Sequence, residues 1–64
     1  MISANKYRKM ISGDRTAIER GLRVLPDFIR QEHENPQVAT PKVLKNLEKH
    51  LKVAREEFAK LGVA

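Results

Sequence analysis

The sequence contains two histidines and eight acidic residues, the side chains that could bind a metal ion or transfer protons. His33 lies between Glu32 and Glu34, but adjacent residues of a helix point to different faces, so these side chains do not converge. His50 has no acidic residue four positions before or after it, where a helix would bring one alongside. There is no cysteine, and two histidines alone make a poor metal site. The sequence therefore predicts no metal ion and no cofactor.

Catalytic motifs are absent from the sequence as well. It has no glycine-rich phosphate loop, no HExxH segment and no pair of carboxylates in an apolar setting. No nucleophilic side chain has an identifiable base beside it. The fold that the sequence predicts, a thin helical hairpin, is expected to lack a concave pocket. We therefore predict that the protein is not an enzyme.

A row of lysines is the most informative feature of the chain. Spacings of three, four and three place them on one face of a helix: they are Lys42, Lys45, Lys49 and Lys52. Bases in the first turns oppose the helix macrodipole, which favours acids there by roughly 0.3–1 kcal/mol each. Lys52 can pair with Glu48 and Glu56, which partly offsets this cost. Locally unfavourable residues often serve function, so this row is predicted to bind a partner; the alternative is an ordinary solvated face.

A second basic cluster lies near the N-terminus and consists of Lys6, Arg8 and Lys9 around Tyr7. Basic side chains contact phosphates, and an aromatic ring can stack on an exposed base. The cluster is therefore a candidate binding surface. The alternative is a basic terminus in solvent, with Tyr7 packed on the rest of the fold.

Four apolar residues are candidates for an interface with another chain. Phe28 and Phe58 are expected in the core, but they would face a partner if leucines already fill the core, because aromatic residues are enriched at interfaces. Val53 and Tyr7 complete the predicted apolar interface.

Helices must position these side chains, and the clearest one covers residues 40–61. Thr40 is its predicted N-cap, Pro41 suits its first position and Gly62 is predicted to follow its end. Apolar residues recur in steps of three and four along it, and they form one stripe: Leu44, Leu47, Leu51, Ala54, Phe58 and Leu61.

A second helix is predicted over residues 14–34, with Asp14 as its N-cap and Ser12 as a competitor for that role. Its apolar residues follow the same alternation of steps. Pro26 lies inside it and removes a backbone hydrogen bond, so we predict a kink there or two short helices that meet near Leu25. A short turn over residues 35–39 makes the two helices antiparallel neighbours.

Residues 3–12 form a short helix capped by Ser3 and ended by Gly13, or residues 1–12 are a mobile basic arm. The predicted fold is an all-α antiparallel helical hairpin in a single domain, residues 1–64. A chain of 64 residues buries little core. Dimerisation into a small helical bundle is therefore expected, which would bury Val24 with the interface residues.

A net charge of +5 and a pI of about 10.0 predict an acidic partner. No apolar run could span a membrane and no signal peptide is evident, so the expected location is cytoplasmic. We predict a small regulator or inhibitor that binds another protein. The layout is similar to that of small phage and plasmid regulators, in architecture only. The alternative is a homodimer that binds DNA or RNA with little sequence specificity through the lysine row and the basic N-terminus.

Overall fold

The computed structural model describes residues 2–34 and 41–62, and this part of the chain is all-helical. Helix α1 is Ala4–Ile11, α2 is Arg15–Glu34 and α3 is Pro41–Gly62. Helix α3 packs against both of the others, whereas α1 and α2 contact each other only slightly. The predicted all-α fold is confirmed, and the N-terminal segment forms a short helix.

Local signals in the sequence place the helix ends. Ser3 is the N-cap of α1, and its hydroxyl accepts a hydrogen bond of 3.2 Å from the Lys6 N–H. Ser12 is the C-cap of α1, and Gly13 follows it with a φ of 77°, a conformation that favours glycine. Asp14, rather than Ser12, caps α2, because its carboxylate accepts a hydrogen bond of 3.1 Å from the Ala17 N–H.

Two predicted boundaries are wrong. Helix α2 continues through Pro26, so it is not divided into two helices near Leu25. Helix α3 includes Gly62, which was expected to follow it, a difference within the usual fraying of helix ends. The predicted cap Thr40 and the turn over residues 35–39 lie outside the described residues.

Helices α2 and α3 run antiparallel because the connection between them is short. From Glu34 to Pro41 the chain has seven Cα steps, which span at most about 25 Å. Helices of 20 and 22 residues are roughly 30 Å long. A parallel arrangement would require the connection to cross that whole length, so the two helices form a hairpin.

The core lies at the end of the hairpin where all three helices meet. Its buried apolar residues come from α1, α2 and α3: Ile11, Ile18, Val53 and Ala54. Around it are half-buried residues, including Leu22 and Phe58. No described residue of 22–34 or 41–49 is buried. We call residues 24–34 of α2 together with 41–49 of α3 the open end.

The apolar stripe predicted on α3 is only partly covered. Ala54 is buried against Gly21 of α2, but Leu44, Leu47 and Leu51 are half-buried. The other buried residues of α3 lie on an adjacent face, which α1 covers: His50, Val53 and Glu57. The predicted stripe assumed that α3 contacts only one helix, so it did not include the residues that contact α1.

Candidate functional site

Helix α1 lies along α3 and is held there by polar contacts. Near its start, the side-chain amide of Asn46 donates a hydrogen bond of 3.2 Å to the carbonyl oxygen of Ile2. Further along, Arg8 Nη2 lies 2.8 Å from Glu56 Oε2. From the first contact to the second, the residue numbers rise on both helices, so α1 runs parallel to α3. Because α1 has 8 residues and α3 has 22, α1 leaves the N-terminal part of α3 uncovered.

Tyr7 fills the space between α2 and α3. Its ring meets the buried ring of His50 edge-on, with the centroids 4.7 Å apart and an interplanar angle of 67°. A Cβ atom on Gly21 would collide with the Tyr7 hydroxyl oxygen, so only glycine permits this approach. Burial raises the pKa of the Tyr7 hydroxyl. His50 Nε2 has no hydrogen-bond partner among the described residues.

Because of these contacts, only some members of the predicted N-terminal basic cluster remain available to a partner. Arg8 forms its ion pair with Glu56, and Tyr7 packs inside the fold. Lys6 and Lys9 are exposed. The cations that α1 leaves available to a partner are therefore lysines.

All four lysines of the predicted row on α3 are exposed, and none forms an ion pair with a described residue. The pairs expected between Lys52 and the carboxylates of Glu48 and Glu56 are not present. The reason is that Glu56 pairs with Arg8 of α1. The ammonium groups of the row are thus not held by a carboxylate that the structure describes, although Glu48 lies within one turn of the same helix.

Three lysines of the row surround a depression of about 380 Å³ at the open end. Its described lining comes entirely from α3: Lys42, Val43, Lys45, Asn46 and Lys49. We call these residues the basic depression. Lys52 lies outside it. The depression lies on α3 beyond the start of α1 and is open to solvent, and the expectation that so thin a hairpin lacks a concave pocket stays a prediction.

The predicted apolar interface residues fall into two groups. Val53 is 4% exposed and belongs to the core of the single chain, while Tyr7 and Phe58 are half-buried against that core. Val53 is therefore closed to a partner while the helices are packed, and Tyr7 and Phe58 are only partly accessible. Phe28 differs, since it is 50% exposed at the open end.

Glu57 is a buried acid that sequence reasoning missed. It is 3% exposed, and its carboxylate accepts a hydrogen bond of 2.8 Å from the Lys60 ammonium. That bond lowers the pKa of Glu57 against the opposing effect of burial, with smaller help from the Ser12 hydroxyl and the Arg8 charge. Asn46, His50, Val53 and Glu57 recur at helical spacing, but the stripe is mostly polar and gives no hydropathy signal.

The described residues contain no group of three or more histidine or acidic side chains placed to hold a metal ion. No helix within residues 2–34 and 41–62 combines the length and apolarity that crossing a membrane requires. What the exposed surface can do is bind anionic groups through ammonium ions beside apolar side chains.

No protein-family model matches the chain, and no curated protein or solved structure is significantly similar to it.

Proposed function

We propose that the protein is a small non-enzymatic regulator or inhibitor that binds the acidic face of another protein. The binding surface is the open end, with Lys42, Lys45 and Lys49 as the charged contacts. The supporting observation is that these three ammonium groups, unpaired among the described residues, surround a depression. Charge complementarity of this kind accelerates association and selects the partner.

Apolar side chains at the same end favour a protein partner over a polyanion. Phe28 is half exposed, and exposed aromatic residues are the usual anchors of protein interfaces. Val43 lines the basic depression beside the lysines. Phosphate groups would use the lysines but would leave this apolar surface in water.

Nucleic-acid binding is the alternative, and the exposed lysines of α1 and α3 favour it. Lys6 and Lys9 lie on α1, away from the basic depression. Because Arg8 is engaged by Glu56, the cations that the lysine row and α1 leave accessible are lysines, which lack the forked guanidinium that reads guanine edges. Binding would therefore be to phosphates, with little sequence preference and a steep dependence on salt.

Self-association is a second way to cover the open end. The four buried apolar residues make a small core, which a second copy would enlarge. Such a dimer would use Val24 and Phe28, whereas Val53 is already buried within each chain. A kink at Pro26 would change how these two α2 side chains meet a partner. Light scattering at high micromolar concentration tests the dimer, and a monomer mass would contradict it.

Two variants of equal charge test the proposed function. One replaces Lys42, Lys45 and Lys49 with glutamine, and the other replaces Lys6, Lys9 and Lys52. Each variant serves as bait in a nuclease-treated lysate of the organism that encodes the protein. We expect the first variant to lose an acidic partner that the unmodified protein and the second variant both retain.

Equal loss from both variants would contradict a binding surface at the open end. Capture that occurs in an untreated lysate but is lost after nuclease treatment would instead support the alternative. Binding to random duplex DNA and RNA at two salt concentrations then distinguishes nucleic-acid binding from protein binding, because phosphate contacts weaken steeply as salt rises.

A further inference from the structure

We infer that the partner presents an amphipathic helix with a row of acidic residues, and that this helix lies along the open end in line with α1. It would complete there the three-helix bundle that α1 forms at the other end. This inference rests on the proposed function and adds the shape and the binding mode of the partner.

The geometry of Tyr7 defines a matching position at the open end that no described side chain of α1 reaches. Tyr7 lies between Gly21 of α2 and His50 of α3. Seven residues, two helical turns, return a helix to nearly the same face. Moving that far toward the open end leads from Gly21 to Phe28 on α2, and from His50 to Val43 on the antiparallel α3. Phe28 and Val43 therefore flank a position equivalent to that of Tyr7.

Helix α1 stops before this position. It begins at Ala4, and Ile2 reaches only as far as its hydrogen bond with Asn46. Beyond Asn46 the same face of α3 forms the basic depression. On α2 the corresponding residue, Phe28, is 50% exposed. Beyond the start of α1, the surface thus has an apolar side on α2, formed by Phe28, and a concave side on α3, formed by the basic depression.

The charge of the basic depression favours a helix with acidic residues on the side that faces α3, since α2 carries Asp27, Glu32 and Glu34 at the same end. Lys42, Lys45 and Lys49 follow helical spacing, so acidic residues at the same spacing on a facing helix can meet them. The N-terminal dipole of α3 adds positive potential here. A second copy is disfavoured, because a two-fold axis through this surface would bring lysines of both chains together.

A designed peptide tests the inference directly. The probe is a synthetic helix of about three heptads, with leucines in one stripe and glutamates in an adjacent row. A second peptide has the same composition in an order that is not amphipathic. Both are titrated into isotopically labelled protein, and backbone amide shifts are followed by NMR.

We expect the amphipathic peptide to bind more tightly and to shift the amides of Phe28 and Asn46. Phe28→Ala is expected to weaken binding at least about tenfold, as is typical when an aromatic anchor is removed. The matched control is Met10→Ala, since Met10 is an exposed apolar side chain of α1, 61% exposed. It should leave binding unchanged.

Three results would overturn the inference. The first is no difference between the two peptides, and the second is binding that Phe28→Ala leaves intact. The third is a dimer in light scattering that Phe28→Ala converts to a monomer, which would make a second copy the occupant. The proposed function fails separately, when capture of an acidic partner does not depend on Lys42, Lys45 and Lys49.

Discussion

Tyr7 is held between a glycine on α2 and a histidine on α3, and this contact fixes where α1 lies. Ser3 and Asp14 act through neighbours in sequence, so their capping roles could be predicted. The contact of Tyr7 with His50 joins residues far apart in the chain. No periodicity of hydrophobic residues marks it, so the sequence left open whether Tyr7 packs inside or meets a ligand.

The close approach of Tyr7 predicts the effect of Gly21→Ala. Alanine favours a helix by about 1 kcal/mol over glycine. Here its Cβ would collide with the Tyr7 hydroxyl oxygen, and such overpacking costs about 1–3 kcal/mol. We therefore expect a lower free energy of unfolding in urea. In a Tyr7→Phe background, which lacks that oxygen, the same substitution should stabilise. Equal effects in both backgrounds would refute the contact.

Glu57 makes stability depend on pH. Its pKa is lowered in the folded protein, chiefly by the Lys60 hydrogen bond, from an ordinary value of 4.5. A lowered folded pKa contributes stability above the unfolded value, and that stability is lost as pH falls through the folded value. Stability should thus decline in acid below about pH 4.5, and Glu57→Gln should decline less steeply. Thermal unfolding of both proteins between about pH 6 and about pH 3 measures this.

The matched control for that comparison is Glu48→Gln, because Glu48 is exposed on the same helix. It should keep the acid dependence of the unmodified protein. Parallel pH profiles for the unmodified protein and Glu57→Gln would contradict the role assigned to the Glu57 carboxylate.

At the scale of elements, α1 is docked by the packing of Tyr7 and Ile11 and by two polar contacts with α3. The Arg8–Glu56 pair is substantially exposed, and such pairs contribute about 0–1 kcal/mol. Helices α2 and α3 could be predicted from caps and spacing, whereas α1 was one of two alternatives that the sequence left open. How α1 docks could not be predicted, because its contact face on α3 is mostly polar and resembles a solvated surface.

Because α1 is a short helix whose ion pair with α3 is substantially exposed, we expect it to open without global unfolding. Native-state hydrogen exchange should show lower protection for amides of α1 than for those near Ala54 in α3. Glu56→Gln should lower protection in α1 selectively. Exchange of α1 amides at the rate of global unfolding would show that the three helices form one cooperative unit.

The proline inside α2 predicts a gain in stability from Pro26→Ala. Alanine supplies the missing N–H and removes the clash with the Leu22 carbonyl, a defect that costs about 3 kcal/mol in an ordinary helix. We expect a higher urea midpoint and, if α2 has the kink that the sequence predicts, a straighter helix near Leu25. A loss of stability would mean that the surrounding packing requires the bend predicted at Pro26.

For the whole molecule, the core is concentrated at one end, and the depression bordered by Lys42, Lys45 and Lys49 lies at the other. The sequence predicted the lysine row correctly as an exposed face. It could not predict that Lys42, Lys45 and Lys49 border a depression whereas Lys52 does not, since this depends on where α1 ends. Because the core is small, the free chain is expected to have a low free energy of unfolding. A partner that binds only the folded chain would raise that free energy.

The most direct test of the binding surface is a calorimetric titration of the captured acidic partner with the two glutamine variants. Because both variants lose the same charge, long-range attraction falls equally and only local contacts differ. We predict at least about tenfold weaker binding when Lys42, Lys45 and Lys49 are replaced, equivalent to about 1.4 kcal/mol. Replacing Lys6, Lys9 and Lys52 should change affinity less than about twofold. Equal weakening by both variants would contradict a binding site at the open end.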